Sequence, residues 1–374
     1  MEFGIFVMMD ILGERAHDPA VEHATLKEEL ETIRLADRTG WKYVWVTEHH
    51  CLPEYSHLSA NESFIAYALA ITDRIHVGSG IFNTNPIVNH PVRVAERVAM
   101  LDHLSEGRFE FGTGRGAGSW EVGTFGLKTS ETKAVWDEVI WEFKKMWESR
   151  DYSFEGEYFQ VPGRNILPKP YGGGRTHPPM WVAAGNPPTF EKAARHGLGV
   201  LGFNVESAHA MKERVDAYKA AIKDPTPVGQ YVNDNVMISS MMVCLEDGRQ
   251  ARQVLADSHF SYFSTLLYLY HDTFPVPEGA VRWPTPLPEP GLEGVEQMIE
   301  SGMVLCGDPH EVREQLEAFQ YIGIDQLVFG GPNGIPFELQ RESYRLFAEE
   351  VMPHFDTEPD VWRSDRMRHE QATS

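Results

Sequence analysis

Four glycines flank Arg115 in the stretch 108–118, which reads RFEFGTGRGAG. Its alternating apolar residues predict a strand, and the glycines at 112, 114, 116 and 118 predict a loop whose backbone approaches a ligand closely. Arg115 carries a permanent charge and a fork of donors that suit a phosphate. The stretch indicates an anion site at a strand end, although a tight turn with a solvated arginine fits the same residues.

Ionisable side chains also follow an earlier apolar segment. Glu48, His49 and His50 come directly after one predicted strand, and Phe82 and Asn83 end the next one. A histidine in such a position can move a proton near neutral pH. Because neighbouring strand residues point in opposite directions, we expect at most one of the two histidines to face a shared site.

A proline-containing turn, which includes Gly185, Asn186 and Thr189, follows a later apolar segment and begins a helix. Thr189 and the backbone amides of that helix start could bind a phosphate, or Thr189 could serve only as a cap. The neighbouring histidines lack the spacing of known zinc motifs and a convergent carboxylate cluster, so we expect no metal site.

The composition excludes several classes of partner. The 374 residues include 55 acidic and 33 basic ones, and the formal charge of −22 opposes non-specific binding to nucleic acid or anionic lipid. The cysteines at 51, 244 and 306 are far apart, which argues against a disulfide framework or a cysteine zinc site. The start of the chain lacks a basic leader, and no run of 18 apolar residues occurs. We therefore expect a cytoplasmic protein without membrane or nucleic-acid partners.

Strand-like and helix-like segments alternate along the whole chain. The predicted strands are 3–9, 41–47, 75–82, the run that enters the glycine loop, 180–184, 198–203, 236–243 and 325–329. This alternation predicts a parallel sheet with helical crossovers, and eight such units predict a (β/α)8 TIM barrel. Catalytic groups of such barrels lie at the carboxyl ends of the strands, so we expect the candidate residues to converge there.

Two insertions interrupt the pattern, one around 119–175 after strand 4 and one around 262–295 after strand 7. The second contains many prolines and aromatic residues and is predicted to form a lid or an ordered loop. Residues 1–356 are expected to form one barrel domain, followed by a loose polar tail over 357–374.

A dinucleotide-binding fold is the main alternative, because Gly112, Gly114 and Ala117 match the spacing of its glycine fingerprint. That fingerprint opens a helix at once and precedes a strand that ends in an acidic residue about 20 positions later. Residues 120–130 instead look like a loop followed by a helix. The sequence therefore favours the barrel.

Two stretches resemble the bacterial luciferase-like flavin monooxygenases: residues 90–115, HPVRVAERVAMLDHLSEGRFEFGTGR, and residues 45–50, WVTEHH. Weaker similarity covers nearly the whole barrel. The resemblance implies a TIM barrel that binds reduced FMN, which reacts with O2 to a C4a-peroxide and oxidises a small organic substrate. It also implies that a separate flavin reductase supplies the reduced FMN.

The resemblance further implies roles for the residues in these motifs. His49, within Glu48–His50, corresponds to the family's catalytic histidine. Arg115 and the turn at Gly185, Asn186 and Thr189 correspond to the flavin phosphate site. The segment near Phe82 and Asn83 corresponds to the backbone against the isoalloxazine ring, where the family often has a non-proline cis peptide.

Two departures from the light-emitting subunit of the family limit what the resemblance implies. Gly114 replaces a reactive cysteine and Gly185 replaces a carboxylate, so we do not expect light emission or use of long-chain aldehydes. A deazaflavin (F420)-dependent oxidoreductase and a flavin-binding protein without catalysis stay open as alternatives. The resemblance and an apolar stripe of Val94, Val98 and Leu101 on the third helix predict a homodimer.

Overall fold

A computed structural model of the chain describes residues 1–171, 176–204, 208–258, 289–332 and 334–372. The strands in these ranges are β1 (Glu2–Val7), β2 (Tyr43–Val46), β3 (His76–Ser79), β4 (Phe82–Asn83), β5 (Phe109–Gly114), β6 (Tyr152–Glu155), β7 (Gln160–Arg164), β8 (Met180–Ala184), β9 (Gly199–Phe203), β10 (Val236–Cys244), β11 (Val304–Gly307) and β12 (Gln326–Gly330).

Eight parallel strands close into a barrel in the order β1, β2, β3, β5, β8, β9, β10 and β12. The register from Glu2 opposite Gln326 to Ile5 opposite Phe329 joins β12 to β1 and completes the circle. The predicted TIM barrel is therefore confirmed. The short β4 pairs with the carboxyl end of β5, and β11, which the sequence analysis did not predict, pairs with the carboxyl end of β10.

Helices connect these strands and cover the outside of the barrel. They are α1 (Pro19–Arg38), α2 (Asn61–Ala70), α3 (Pro91–Leu104), α4 (Gly118–Thr124), α5 (Thr129–Val139), α6 (Glu142–Glu148), α7 (Pro187–Arg195), α8 (Ala208–Ala221), α9 (Gly248–Ala256), α10 (Gly291–Glu300), α11 (Pro309–Ile322), α12 (Phe337–Glu350) and α13 (Arg363–Ala372). Among these described helices, none has the length and apolar character needed to cross a lipid bilayer.

The first insertion contains three helices, α4 to α6, and an antiparallel hairpin of β6 and β7. The prediction of a loop over 120–130 is wrong, because α4 begins at Gly118, directly after the glycine loop. The hairpin that follows is not the parallel strand that a dinucleotide-binding fold requires, so the barrel assignment is unaffected. Most of the predicted lid, 262–288, lies outside the described residues.

The apolar stripe of α3 packs against its own barrel. Val94 and Val98 are completely buried and Leu101 is 3% exposed, because residues three and four apart lie on one face of a helix. The stripe therefore gives no support for a dimer, and that step of the prediction is wrong. The exposed apolar side chains of this region are Tyr67, Ile87, Met100 and Leu104, with exposed fractions from 48% to 63%.

The described part of the predicted tail, residues 357–372, packs against the barrel rather than being loose. Helix α13 closes the amino-terminal end of the barrel, where Ser364 Oγ donates to Glu110 Oε1 at 2.6 Å. Arg368 donates to both carboxylate oxygens of Asp102 at 3.0 and 2.9 Å. These contacts could not be predicted from the sequence, because the partners of the polar tail lie more than 250 residues away in the chain.

Candidate functional site

A buried histidine and a buried carboxylate face each other at the carboxyl end of β2. His49 is 6% exposed and Glu121, on α4, is 1% exposed. His49 Nδ1 lies 2.8 Å from Glu121 Oε2, and Glu121 Oε1 accepts a hydrogen bond from the backbone amide of Ala117 at 3.1 Å. A carboxylate at Nδ1 keeps the proton of a neutral ring on that nitrogen, which leaves Nε2 as a base. The pair can therefore move a proton at Nε2.

The other histidine of the motif engages a different carboxylate. His50 Nε2 lies 3.1 Å from Glu48 Oε1, and Glu48 Oε2 accepts from the backbone amide of Asn83 at 3.3 Å. Burial raises the pKa of Glu48. Burial alone would lower the pKa of His50, but the hydrogen bond and the charge of Glu48 outweigh it and raise that pKa. Glu48 and His50 thus form a second pair, distinct from that of His49.

A small apolar cleft, open to solvent, lies inside the barrel next to the segment that follows β3. The pocket is lined by Phe6, Gly80, Ile81, Ala183, Leu201, Gly202, Phe203, Met237 and Ser239. The Gly80–Ile81 peptide is cis, as the resemblance implied for this segment. Apolar walls with few polar groups suit a flat organic ring.

The glycines at 112, 114 and 116 make room for other groups of the protein. A Cβ on Gly112 would lie 1.9 Å from the carbonyl oxygen of Ser79, and one on Gly114 would lie 2.5 Å from the Ile81 side chain. Gly116 has a φ of +86°, and a Cβ there would lie 2.9 Å from Glu121 Oε1. These glycines therefore let the pocket segment and the carboxylate of Glu121 approach the end of β5, and their predicted role in the approach of a ligand stays a prediction.

Arg115 lies at the end of β5, as predicted, and is half-buried. Its Nη1 donates to the Thr132 hydroxyl on α5 at 3.2 Å. Lys192 of α7 contacts the Asp137 carboxylate of the same helix and lies 5.4 Å from the ring centroid of Trp136. In the described residues, no hydrogen bond or ion pair joins Arg115 directly to the turn before α7.

The turn before α7 offers fewer donors than the sequence analysis predicted. Asn186, not Thr189, is the N-cap, and its Oδ1 accepts from the Thr189 amide at 3.1 Å and from its hydroxyl at 2.7 Å. The first two helical positions are Pro187 and Pro188, which have no N–H. The prediction that amides at this helix start bind a phosphate is therefore wrong for its first three positions. Gly185 lies exposed beside the turn.

Two functional candidates were missed because nothing in their local sequence marks them. Glu121 lies in the insertion after β5 and reaches His49 only through the fold. Asn61, the first residue of α2, donates from Nδ2 to the carbonyl of Ile81 at 3.2 Å. In the described ranges, no three His, Cys, Asp or Glu side chains are grouped as possible metal ligands.

Two known proteins are similar to this chain over most of its length. The oxygenase component of the flavin-dependent trigonelline monooxygenase of Acinetobacter baylyi is 26% identical over 362 residues, 95% of this chain and 96% of that protein. The F420-dependent glucose-6-phosphate dehydrogenase of Amycolatopsis mediterranei is 25% identical over 324 residues, 85% of this chain and 91% of that protein.

A solved structure shares the fold. It is the oxygenating constituent of 3,6-diketocamphane monooxygenase from the CAM plasmid of Pseudomonas putida, in complex with FMN, with a TM-score of 0.71 and 18% identity over 94% of this chain and 98% of that one. A family model described as luciferase-like monooxygenase matches residues 1–326. The chain therefore belongs to the luciferase-like monooxygenase family.

Proposed function

We propose that the protein is a flavin-dependent monooxygenase that uses reduced FMN and O2 to oxidise a small organic substrate. The observation that carries the proposal is the buried pair of His49 and Glu121 at the carboxyl end of the barrel, together with the apolar pocket beside Gly80 and Ile81. The related trigonelline and diketocamphane monooxygenases support the same reaction class.

The residues present fit FMN. The apolar walls of the pocket suit the isoalloxazine ring, and Arg115 at the end of β5 suits the phosphate. When bound, the flavin supplies the oxygen chemistry, and the protein orients the reactants and excludes water. Because two helical positions before Thr189 are prolines, we assign most of the phosphate's charge to Arg115 and a lesser role to Asn186 and Thr189.

His49 is the proposed catalytic residue, because a neutral ring that carries its proton on Nδ1 can accept a second proton at Nε2. Glu121 holds the ring in one orientation through Nδ1. The buried Glu48 carboxylate is surrounded by donors, which favours a structural task for Glu48 and His50 over direct proton transfer.

A deazaflavin-dependent oxidoreductase is the second candidate, because an F420-dependent dehydrogenase is among the relatives. A binding protein without catalysis is disfavoured, since a buried histidine–carboxylate pair is costly to keep without a task. We further propose a separate flavin reductase as the source of reduced FMN and a homodimer formed through the exposed faces of α2 and α3.

Equilibrium binding separates the two cofactors. We expect purified protein to bind reduced FMN under anaerobic conditions at least tenfold more tightly than reduced F420, measured by ultrafiltration. Tighter binding of reduced F420 would favour the deazaflavin-dependent oxidoreductase. Binding of neither cofactor would contradict both proposed functions.

A further inference from the structure

The segment from Gly80 to Asn83, of which Gly80 and Ile81 line the pocket, is held by the side chain of Asn89. Asn89 Nδ2 donates to the carbonyl oxygen of Asn83 at 3.0 Å and to Glu48 Oε1, also at 3.0 Å. Glu48 Oε2 in turn accepts from the amide of Asn83. The Asn83 amide therefore binds the Glu48 carboxylate directly. The Asn83 carbonyl is linked to the same carboxylate through Asn89.

Arg97 fixes the orientation of the Asn89 amide. Both Arg97 Nη atoms donate to Asn89 Oδ1 at 3.3 Å, and Nη2 also lies 3.0 Å from Glu62 Oε1. The guanidinium carbon lies 5.2 Å from the ring centroid of Phe82, a buried residue of the same segment. Asn89 therefore uses both of its N–H donors and its carbonyl acceptor, which no other side chain of similar size can do.

We propose that Asn89, oriented by Arg97, is a positioning residue that holds the segment Gly80–Asn83 against Glu48. In this way it sets the affinity for flavin. The inference rests on the proposed function, because it takes the pocket as the flavin's. A carboxylate at position 89 has the same shape but no donor, and it would face the Glu48 carboxylate and the Asn83 carbonyl. Repulsion between these oxygens would move the segment Gly80–Asn83 away from Glu48.

Asn89→Asp and the matched control Asn233→Asp test this proposal. Asn233 is a more deeply buried amide, 1% exposed, that donates to the carbonyl of Met180 at 3.1 Å, near the amino ends of β8 and β10. We expect both variants to lose thermal stability. Only Asn89→Asp should weaken FMN binding, by about tenfold or more, since it also loses contacts to a charged group.

Two measurements without flavin separate failure of this inference from failure of the proposed function. In Asn89→Asp, hydrogen exchange at the Asn83 amide should accelerate about tenfold, and the pKa of His50 measured by NMR should rise, because a new charge joins Glu48, Glu62 and Glu121 around it. Neither value should change in Asn233→Asp. If wild type binds no FMN, these two values still decide the positioning role.

Arg97→Gln provides a second variant if Asn89→Asp does not fold. It should accelerate hydrogen exchange at the Asn83 amide and weaken FMN binding, each by about threefold. The effect is smaller because the Asn89 side chain stays in place and loses only its hydrogen bonds to Arg97. The proposal is overturned if Asn83 exchange matches wild type in a folded variant, or if FMN affinity in Asn89→Asp stays within twofold of that in Asn233→Asp.

Discussion

His49 Nδ1 lies 2.8 Å from a carboxylate oxygen of Glu121, although 72 residues separate the two in the chain. The contact joins the end of β2 to α4, and Gly116 makes it possible because a side chain there would meet the same carboxylate. The histidine at the end of the second strand is thus oriented by a helix of the first insertion. Variants of either residue should therefore affect turnover more than stability.

His49→Ala should lower turnover of an identified substrate by about 10²-fold or more, as loss of a general acid or base does. Glu121→Gln should lower it by a smaller factor, about tenfold, since the amide can still contact Nδ1. FMN affinity should stay within a few-fold in both variants. Steady-state kinetics and FMN titration measure the two effects. His103→Ala, on the exposed end of α3, is the control and should behave like wild type. Full activity of His49→Ala would contradict the proposed role of His49 in proton transfer.

Arg115→Ala should raise the dissociation constant of FMN by roughly ten- to hundredfold, because a charged hydrogen bond contributes roughly 1.5–3 kcal/mol. Riboflavin lacks the phosphate and should bind nearly as well as before. Arg93→Ala, whose side chain is 73% exposed on α3, is the control. Equal losses for FMN and riboflavin would show that Arg115 does not contact the phosphate.

His76 contacts Glu110 and Asp365 at the amino-terminal end of the barrel, and these ion pairs should make the free energy of unfolding depend on pH. Burial alone would lower the pKa of His76, but hydrogen bonds to Asp365 and Glu110 raise it to about 9 from an ordinary 6.5. A pKa raised by folding means that the stabilisation is complete below pH 6.5 and is lost as the pH rises through about 9.

We therefore expect the free energy of unfolding to fall by about 2–3 kcal/mol between pH 6.5 and 9.5 relative to His76→Asn, in which this dependence is removed. Urea unfolding at four or five pH values measures it. Parallel pH profiles of wild type and His76→Asn would contradict the assignment.

The homodimer is tested by charge on the exposed face of α3. Met100→Glu places a carboxylate among Tyr67, Ile87 and Leu104, and burial of that charge in an interface would be costly. Light scattering should give twice the chain mass of 42.4 kDa for wild type and a single chain for Met100→Glu. Tyr321→Glu, on a side chain that is 74% exposed in α11, should remain a dimer. A monomeric wild-type protein would contradict the proposed homodimer.

The barrel was predictable because its strands are continuous apolar runs separated by helical patterns, which is how strands buried on both faces appear in sequence. His49 and Arg115 were predictable because both follow such runs. Glu121 and Asn89 were not, since their roles depend on contacts made only after the barrel closes. The turn before α7 was misjudged for a local reason: two prolines and the Asn186 cap remove donors that a helix start normally offers.

The reaction of the reduced complex with oxygen tests the central claim most directly. Protein loaded anaerobically with reduced FMN is mixed with air-saturated buffer in a stopped-flow spectrometer, and the absorbance is followed until the flavin is oxidised. We predict a transient spectrum that differs from both reduced and oxidised FMN and that lasts longer than with free flavin, because the apolar pocket excludes water. Oxidation at the rate of free FMN, with no such transient, would contradict a monooxygenase.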